Sequence, residues 1–306
     1  MSEQLASVPF PTQQEIATTR RKPMLRSFNL SGFGAMLFLV VFTIYFLVPF
    51  FWLIFSSTKN IGDLFNTFGF WFSSNFNLWS NLQTLFTYDG SIYLQWLGNS
   101  FIYAGVGAAF GTLFASMAGY AMAKYLFRGR NLIFSTVLGA ILVPSTALVL
   151  PLYLLMSKWG LTDTYWSVLL PSVVSPFGVY LSRIYASASV PDELIEAARI
   201  DGASEFRTFA TISMRLMTPA LVTIFLFQFV GIWNNFFLPL VMLSNQRLFP
   251  ITLGLQTWNV TTGGVNKFLY TLIITGALVS SIPLLIGCGV LQRFWRGGLG
   301  DGGLKG

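Results

Sequence analysis

The sequence predicts an all-α protein that crosses a membrane six times. Three observations carry that expectation. Only 9% of the 306 residues are charged, where ordinary soluble domains carry roughly 25%. Hydrophobic residues make up 54% of the chain, and the mean hydropathy is +0.65. Six apolar runs reach the length of about 20 residues that a spanning helix needs; they cover 33–56, 97–123, 132–156, 166–187, 217–243 and 268–292. A water-facing globular enzyme is excluded by the shortage of charge, and a disordered chain by the hydrophobicity.

The elements follow in chain order. Residues 1–30 are polar, with Pro9, Pro11 and the pair Gln13-Gln14, and read as a tail. The first run passes through Val40 and Phe46 to Phe55. It is too long for a signal-peptide core and no small-residue cleavage site follows it, so it reads as a retained helix. The segment 57–96 is long and aromatic, with Phe65, Phe68, Phe70, Trp71, Phe72, Phe76 and Trp79, and is expected to lie partly on the membrane surface, where such rings settle. Gly107 and Gly111 in the second run form a GxxxG pair suited to close helix approach. Pro144, Pro151, Pro171, Pro176, Pro239 and Pro283 fall inside or near the ends of spans, as membrane bundles permit. The six-helix domain covers 31–292, interrupted by a charged loop at 188–218, and a glycine-rich tail covers 293–306.

Fourteen of the 18 lysines and arginines fall on one side of this scheme, in the N-terminal tail (Arg20, Arg21, Lys22, Arg26), the second-to-third and fourth-to-fifth connections, and the C-terminal tail. Lys59, Lys158, Arg247 and Lys267 fall on the other. The positive-inside rule then places both termini in the cytoplasm.

Composition also excludes chemistry. There is no histidine and one cysteine, so Ser-His and Cys-His pairs, His-ligated metals, disulfides and CxxC sites are absent. No Asp, Glu, Lys or Arg falls mid-span. Ion-driven carriers usually need such a group, so a solute moved by this chain is expected to be uncharged and driven by another energy source. Neither a P-loop nor a complete GxGxxG is present, so the chain itself is expected to bind no ATP. The polar residues within or near spans, including Asn99, Ser100, Tyr103, Gln228, Asn234 and Asn235, read individually as interhelical hydrogen bonds. The set Trp233-Asn234-Asn235-Phe236 combines aromatic faces with amides, a pairing suited to a sugar ring.

Five of the 11 acidic residues lie in 188–218: Asp192, Glu193, Glu196, Asp201 and Glu205. Ser189-Val190-Pro191-Asp192 resembles a helix start with Ser189 as N-cap. A helix to Ile200, a turn at Asp201-Gly202 and a second helix capped by Ser204 would follow. Such a hairpin can bind DNA, but this one is acidic and tied to the membrane at both ends, so nucleic acid is not expected. Leu194, Ala197 and Ala198 give a compact surface beside Glu196. The residues alone leave open a docking surface or a solvated amphipathic loop.

Glu196-Ala197-Ala198, followed by Gly202 and Ile212, resembles the EAA loop of ABC-importer permeases, and 191–204 resembles the maltose-type carbohydrate subfamily. Pro49-Phe50 with Trp52, Trp233-Asn234-Asn235-Phe236 with Pro239-Leu240, Gln292-Arg293-Phe294 and the ending Leu304-Lys305-Gly306 are similar to it as well. The chain departs at Arg215, where the family usually has proline, which leaves the exit of the second helix open; Asn235 stands where an acid is frequent. The resemblance implies a type I importer fold in a bacterial cytoplasmic membrane. It implies a non-catalytic subunit that pairs with a second related permease, two copies of a cytoplasmic ATPase that carry ATP and magnesium, and an external sugar-binding protein. Glu196 would anchor the ATPase, Ala197, Ala198 and Gly202 would permit close fit, and Asp201-Gly202 would hold the turn. Gln228, Trp233, Asn234 and Asn235 would line the sugar path. Gln246, Gln256 and Asn259 would face the binding protein. The sugar stays open among mono-, di- and oligosaccharides and a glycerol phosphate. A stand-alone ion-coupled or facilitative sugar carrier, and a non-transporting scaffold, are the alternatives.

Overall fold

The computed structural model describes residues 30–261 and 268–300, and among these every regular element is helical. The basic residues of the N-terminal tail, Lys267 and Leu304-Lys305-Gly306 lie outside the described residues. The chain divides into two units, Met1–Phe50 and Phe51–Gly306.

In the first unit the described residues belong to helix α1 (Leu30–Ser57). Phe38, Phe42 and Tyr45 are exposed, as are the residues between them. A helix that is apolar all round and uncovered by protein suits lipid.

The second unit opens with the last turns of α1 and then the short α2 (Ile61–Asn66), whose N-cap Asn60 accepts from the Asp63 N–H at 2.8 Å. Lys59 is fully buried here, and its ammonium donates to Thr67 Oγ1 at 2.9 Å and to the Phe68 carbonyl at 2.6 Å. Asn81 Nδ2 donates to the Ser57 and Lys59 carbonyls, so a polar knot closes the end of α1.

Helix α3 (Leu78–Lys124) is the central strut. Its path breaks at Tyr88–Ser91, where Asp89, Gly90 and Ser91 all have positive φ. Beyond the break, 92–124 is about 50 Å long at 1.5 Å per residue, ample for a hydrocarbon core of about 30 Å.

The third expected span is sharply bent, whereas the fourth runs as one span, Tyr165–Ser189, interrupted only locally at 173–175. Residues 132–156 resolve into α4 (Arg130–Leu142) and α5 (Ser145–Lys158), bent by 104°. Pro144 stands at the break, where its missing N–H and the restriction on Val143 end the helix. Residues 166–187 resolve into α6 (Tyr165–Ser172) and α7 (Pro176–Ser189), with Pro176 in the first turn of α7. The hairpin follows as α8 (Asp192–Ile200) and α9 (Glu205–Leu216). The fifth expected span, 217–243, is likewise divided into α10 (Thr218–Trp233) and α11 (Phe237–Met242). Helix α12 (Ile251–Thr261) and helix α13 (Leu269–Gly300) complete the chain, and α13 runs on past residue 293, where a tail was expected. Among the described residues four helical segments are long and apolar enough to cross a membrane, with α6 and α7 counted together, or six when the bent pairs α4–α5 and α9–α10 each count as one span.

Two cores hold this unit. The larger joins Tyr93, Trp96, Tyr103, Val168, Trp233, Met242, Ile251 and Trp258 at one end of α3. The smaller joins Tyr120, Ala186, Val190, Ile195, Phe209 and Met217 at the other. Between them α3 presents glycine to its neighbours. A Cβ on Gly107 would stand 2.8 Å from Ile232, and one on Gly119 would stand 2.6 Å from Ser182 and 2.7 Å from the Arg183 backbone nitrogen. The small residues expected to permit close approach therefore face α10 and α7 directly.

Candidate functional site

The charged hairpin is built on the smaller core. Ser189 does not cap α8; it ends α7, and Pro191 takes the N-cap position of α8. With α8 started there, the 3.6-residue period turns Ile195 and Ala198 onto the core, where they are 3% and 6% exposed. Ala198 therefore packs inward and is not part of the exposed surface expected for it. Glu193, Glu196, Ala197 and Ile200 share the opposite, exposed face. Ile200 is 86% exposed and Phe206, just past the turn, is 68% exposed. This is an acidic and apolar face with no cover among the described residues.

The turn is fixed by its backbone. Gly202 has φ +77°. The Ala203 N–H donates to the Ala198 carbonyl at 2.9 Å, and the Gly202 N–H donates to the Arg199 carbonyl at 3.0 Å. This pair of bonds ends a helix through a left-handed residue, which glycine adopts most readily. Asp201 sits at the C-cap, exposed. Ser204 accepts from the Arg207 N–H at 3.3 Å and starts α9 as expected. Within α9 the turn widens to a π-helical stretch at Phe209–Ser213, and an 83° bend at Met217 leads into α10. Pro219 occupies the first turn of α10, so the exit that Arg215 left open is made four residues later.

Ion pairs fasten the hairpin. Arg199 Nε donates to Glu205 Oε1 at 2.7 Å, and Tyr125 Oη donates to Glu205 Oε2 at 2.7 Å. These bonds, Arg199 first and Tyr125 second, hold the Glu205 carboxyl below the usual carboxylate range. The same ion pair raises Arg199. Burial, then the bond to Glu205, raises the Tyr125 hydroxyl above its ordinary value. Lys124 pairs with Asp192 at 2.7 Å and also donates to the Val190 carbonyl.

A second feature lies where three helices break. A cavity of about 530 Å³ opens between the α4–α5, α6–α7 and α10–α11 junctions. Ser145, Thr146, Ser172, Ser175, Gln228 and Asn235 supply its polar groups, and no ionisable side chain lines it. Gln228 Nε2 donates to the Ser172 carbonyl at 3.1 Å, while its Oε1 is buried without a partner among the described residues. The amide lies against Gly111, where a Cβ would meet it at 1.9 Å. Asn235 Oδ1 accepts from the Leu238 N–H at 3.3 Å. Of the four candidate pathway residues, the structure brings Gln228 and Asn235 to this cavity. Trp233 is instead 2% exposed in the larger core, stacked on Phe229. Asn234 is exposed and turns back to the Val230 carbonyl at 2.9 Å. The four hydroxyls were missed by sequence reasoning; Pro144, Pro171 and Pro176 beside them were the available signal.

A third feature is the loop at 243–250. Trp96 Nε1 donates to the Gln246 carbonyl at 2.7 Å, Asn99 Nδ2 to the Arg247 and Phe249 carbonyls at 2.8 and 3.0 Å, and Tyr103 Oη to the Leu248 carbonyl at 2.9 Å. Ser100 Oγ accepts from the Ile251 N–H at 2.7 Å. Asp163 Oδ1 accepts from the Ser244 and Asn245 N–H groups at 2.8 Å each. The polar stripe of α3 thus holds a loop backbone, where interhelical bonds were expected. Gln246, Gln256 and Asn259 are all exposed on this loop and on α12.

Residues 111–295 match the family described as binding-protein-dependent transport system inner membrane component. The arabinooligosaccharides transport system permease protein AraQ of Bacillus subtilis is 33% identical over 284 residues, covering 91% of this chain and 98% of that protein. AraQ of Halalkalibacterium halodurans is 39% identical over 226 residues, covering 74% and 79%. The lactose transport system permease protein LacG of Rhizobium radiobacter is 28% identical over 286 residues, covering 92% and 97%. Among solved structures, a bacterial ABC transporter involved in the import of the acidic polysaccharide alginate contains a chain with the same fold. Its TM-score is 0.76 at 21% identity, covering 94% of this chain and 99% of that one.

Proposed function

The chain belongs to the binding-protein-dependent transport system inner membrane component family, and from that premise we propose that it is one permease subunit of an ATP-driven carbohydrate importer in a bacterial cytoplasmic membrane. A second related permease completes the pathway. Two copies of a cytoplasmic ATPase hold ATP and magnesium, and an external binding protein delivers the sugar. This chain catalyses no reaction itself.

The observation that carries the reading is the α8 face. Glu193, Glu196, Ala197 and Ile200 are exposed together on a helix whose other side is anchored in a core. Ala197 lets a partner approach the helix backbone, and Glu196 offers a carboxylate to an arginine or lysine of the ATPase. Gly202 and Asp201 hold the turn that presents them. When ATP closes the ATPase dimer, α8 is carried with it, and the movement passes from the hairpin to the spans. Coupling requires that the closed ATPase bind the outward-facing permease more tightly than the inward-facing one.

The cavity at the helix breaks serves as a pathway site on this chain, with Gln228 and Asn235 among its polar groups. Broken helices leave backbone groups free at membrane depth, where transporters place solute. Its lining is neutral, so an uncharged sugar suits it better than an acidic one. The relatives named for arabinooligosaccharides and lactose point the same way. On the opposite side, the loop braced by Asn99 and Tyr103 presents Gln246, and α12 presents Gln256 and Asn259, to the binding protein.

The test is purification of the tagged chain from its native membrane in mild detergent, with co-purifying proteins identified by mass spectrometry. A P-loop ATPase and a second permease are expected, and Glu196→Lys is expected to release the ATPase while the chain still inserts. A chain that purifies alone would overturn the reading.

A further inference from the structure

The face that meets the ATPase lies on α8, but movement of α8 does nothing unless a spanning helix follows it. The direct sequence route runs through α9, which contains a π-helical stretch and ends in an 83° bend. Both features interrupt the regular helical ladder along which a push would travel in one direction. A second route is printed in the side chains. Lys124 and Tyr125 are adjacent residues at the end of α3. Lys124 holds the start of α8 through Asp192 at 2.7 Å and the Val190 carbonyl. Tyr125 holds the start of α9 through Glu205, whose carboxylate also binds Arg199 at the end of α8. Three points of the hairpin are therefore tied to one helix end. Beneath them Tyr120 packs against Phe209 with ring centroids 5.1 Å apart, and edge-on to Tyr125 at 5.8 Å. The Lys124 side chain is only 6% exposed, so this pair is shielded from solvent on its cationic side.

We propose that Lys124 and Tyr125 are positioning residues that lock the α8–α9 hairpin to α3, so that the hairpin and the central strut move as one body during transport. The inference rests on the importer reading above. Helix α3 packs through Gly107 and Gly111 on α10, beside the cavity, and through Gly119 on α7. Displacing its end therefore shifts the helices whose breaks form the cavity. Without the clamp, the ATPase still docks on α8 and still turns over, but its stroke is lost in the bend at Met217.

The experiment uses the whole importer in proteoliposomes and reads ATP hydrolysed per sugar imported. Tyr125→Phe removes one hydroxyl and keeps the ring packing. It is expected to leave the ATPase bound and active and to raise the ratio severalfold, because Arg199 still holds the Glu205 carboxylate. Lys124→Asp should raise the ratio further, and combining it with Asp192→Lys should bring it part of the way back to the wild-type value, since the ion pair is recovered but the donation to the Val190 carbonyl is not. A simple folding defect would lower hydrolysis and import together and leave the ratio unmoved. The proposal is overturned if both single variants keep the wild-type ratio, if the charge exchange restores nothing, or if either single variant loses the ATPase. A wild-type assembly that hydrolyses no ATP on sugar import would instead overturn the importer reading.

Discussion

Replacing Gly119 by alanine should separate two helices that the fold requires to touch. The added Cβ would stand 2.6 Å from Ser182 Cβ and Oγ and 2.7 Å from the Arg183 backbone nitrogen, against 3.4 Å or more for ordinary contact. A side chain could rotate away, but the Arg183 nitrogen belongs to the helix itself, so α3 and α7 must part by several tenths of an ångström. Forcing extra atoms into a packed contact costs about 1–3 kcal/mol. The Ser182 hydroxyl bond to the Ser116 carbonyl, already 3.3 Å long, would be lost, for roughly 0.6 kcal/mol. Alanine returns up to about 1 kcal/mol of helix propensity. The net loss is about 2 kcal/mol. Gly105 lies on the same helix with nothing within 4 Å of its Cβ position, so Gly105→Ala keeps the propensity gain alone. Thermal unfolding of the two variants in one detergent, followed by tryptophan fluorescence, should separate them by roughly 5–10 °C at about 2–4 °C per kcal/mol. Equal midpoints, or a more stable Gly119→Ala, would refute the close α3–α7 contact.

Other expectations follow from the same structure. Asn99→Leu removes two donations to the Arg247 and Phe249 carbonyls and leaves the Tyr165 hydroxyl without its acceptor; amide hydrogen exchange across 244–252 should quicken by at least tenfold, and unchanged exchange would show that other bonds hold the loop. Thr146→Trp should fill the cavity at the helix breaks, abolishing sugar import while the ATPase still co-purifies; undiminished import would move the solute path elsewhere. The Glu205 carboxyl is held below the ordinary range near 4.3 by Arg199 and Tyr125, so its contribution is fully present above that range and is lost as pH falls through the lowered value. Proteolysis of the hairpin should accordingly be independent of this group between about pH 6 and 8 and rise only in acid; a change centred near pH 7 would contradict that assignment.

The spans were legible because lipid leaves apolar residues on every face of a helix, and an apolar run of sufficient length admits few other readings. Their breaks were not legible. Pro49, Pro151 and Pro283 lie inside continuous helices, whereas Pro144 and Pro176 mark ends, and residue type alone does not separate these outcomes. The hairpin was legible in its turn, since Gly202 accepts the left-handed conformation that ends a helix. It was misread at Ala198, because two adjacent alanines look alike until the start of α8 fixes which of them faces the core. Trp96, Asn99, Ser100 and Tyr103 recur at helical spacing and could have been read as one polar stripe. Their partner is a loop about 150 residues away, which no local pattern announces. The Tyr125–Glu205–Arg199 cluster was hidden for the same reason: each residue is unremarkable until α3 and the hairpin meet.

The central claim is that this permease moves sugar only when a separate ATPase engages the exposed face of α8. The most direct measurement is uptake of a panel of radiolabelled neutral sugars into proteoliposomes. It compares this chain alone, the complete assembly with ATP and binding protein, and the complete assembly carrying Glu196→Lys. The account predicts uptake by the complete assembly alone, with the substitution reducing it strongly while the chain remains inserted. Uptake by the chain alone, or full uptake by the Glu196→Lys assembly, would contradict it.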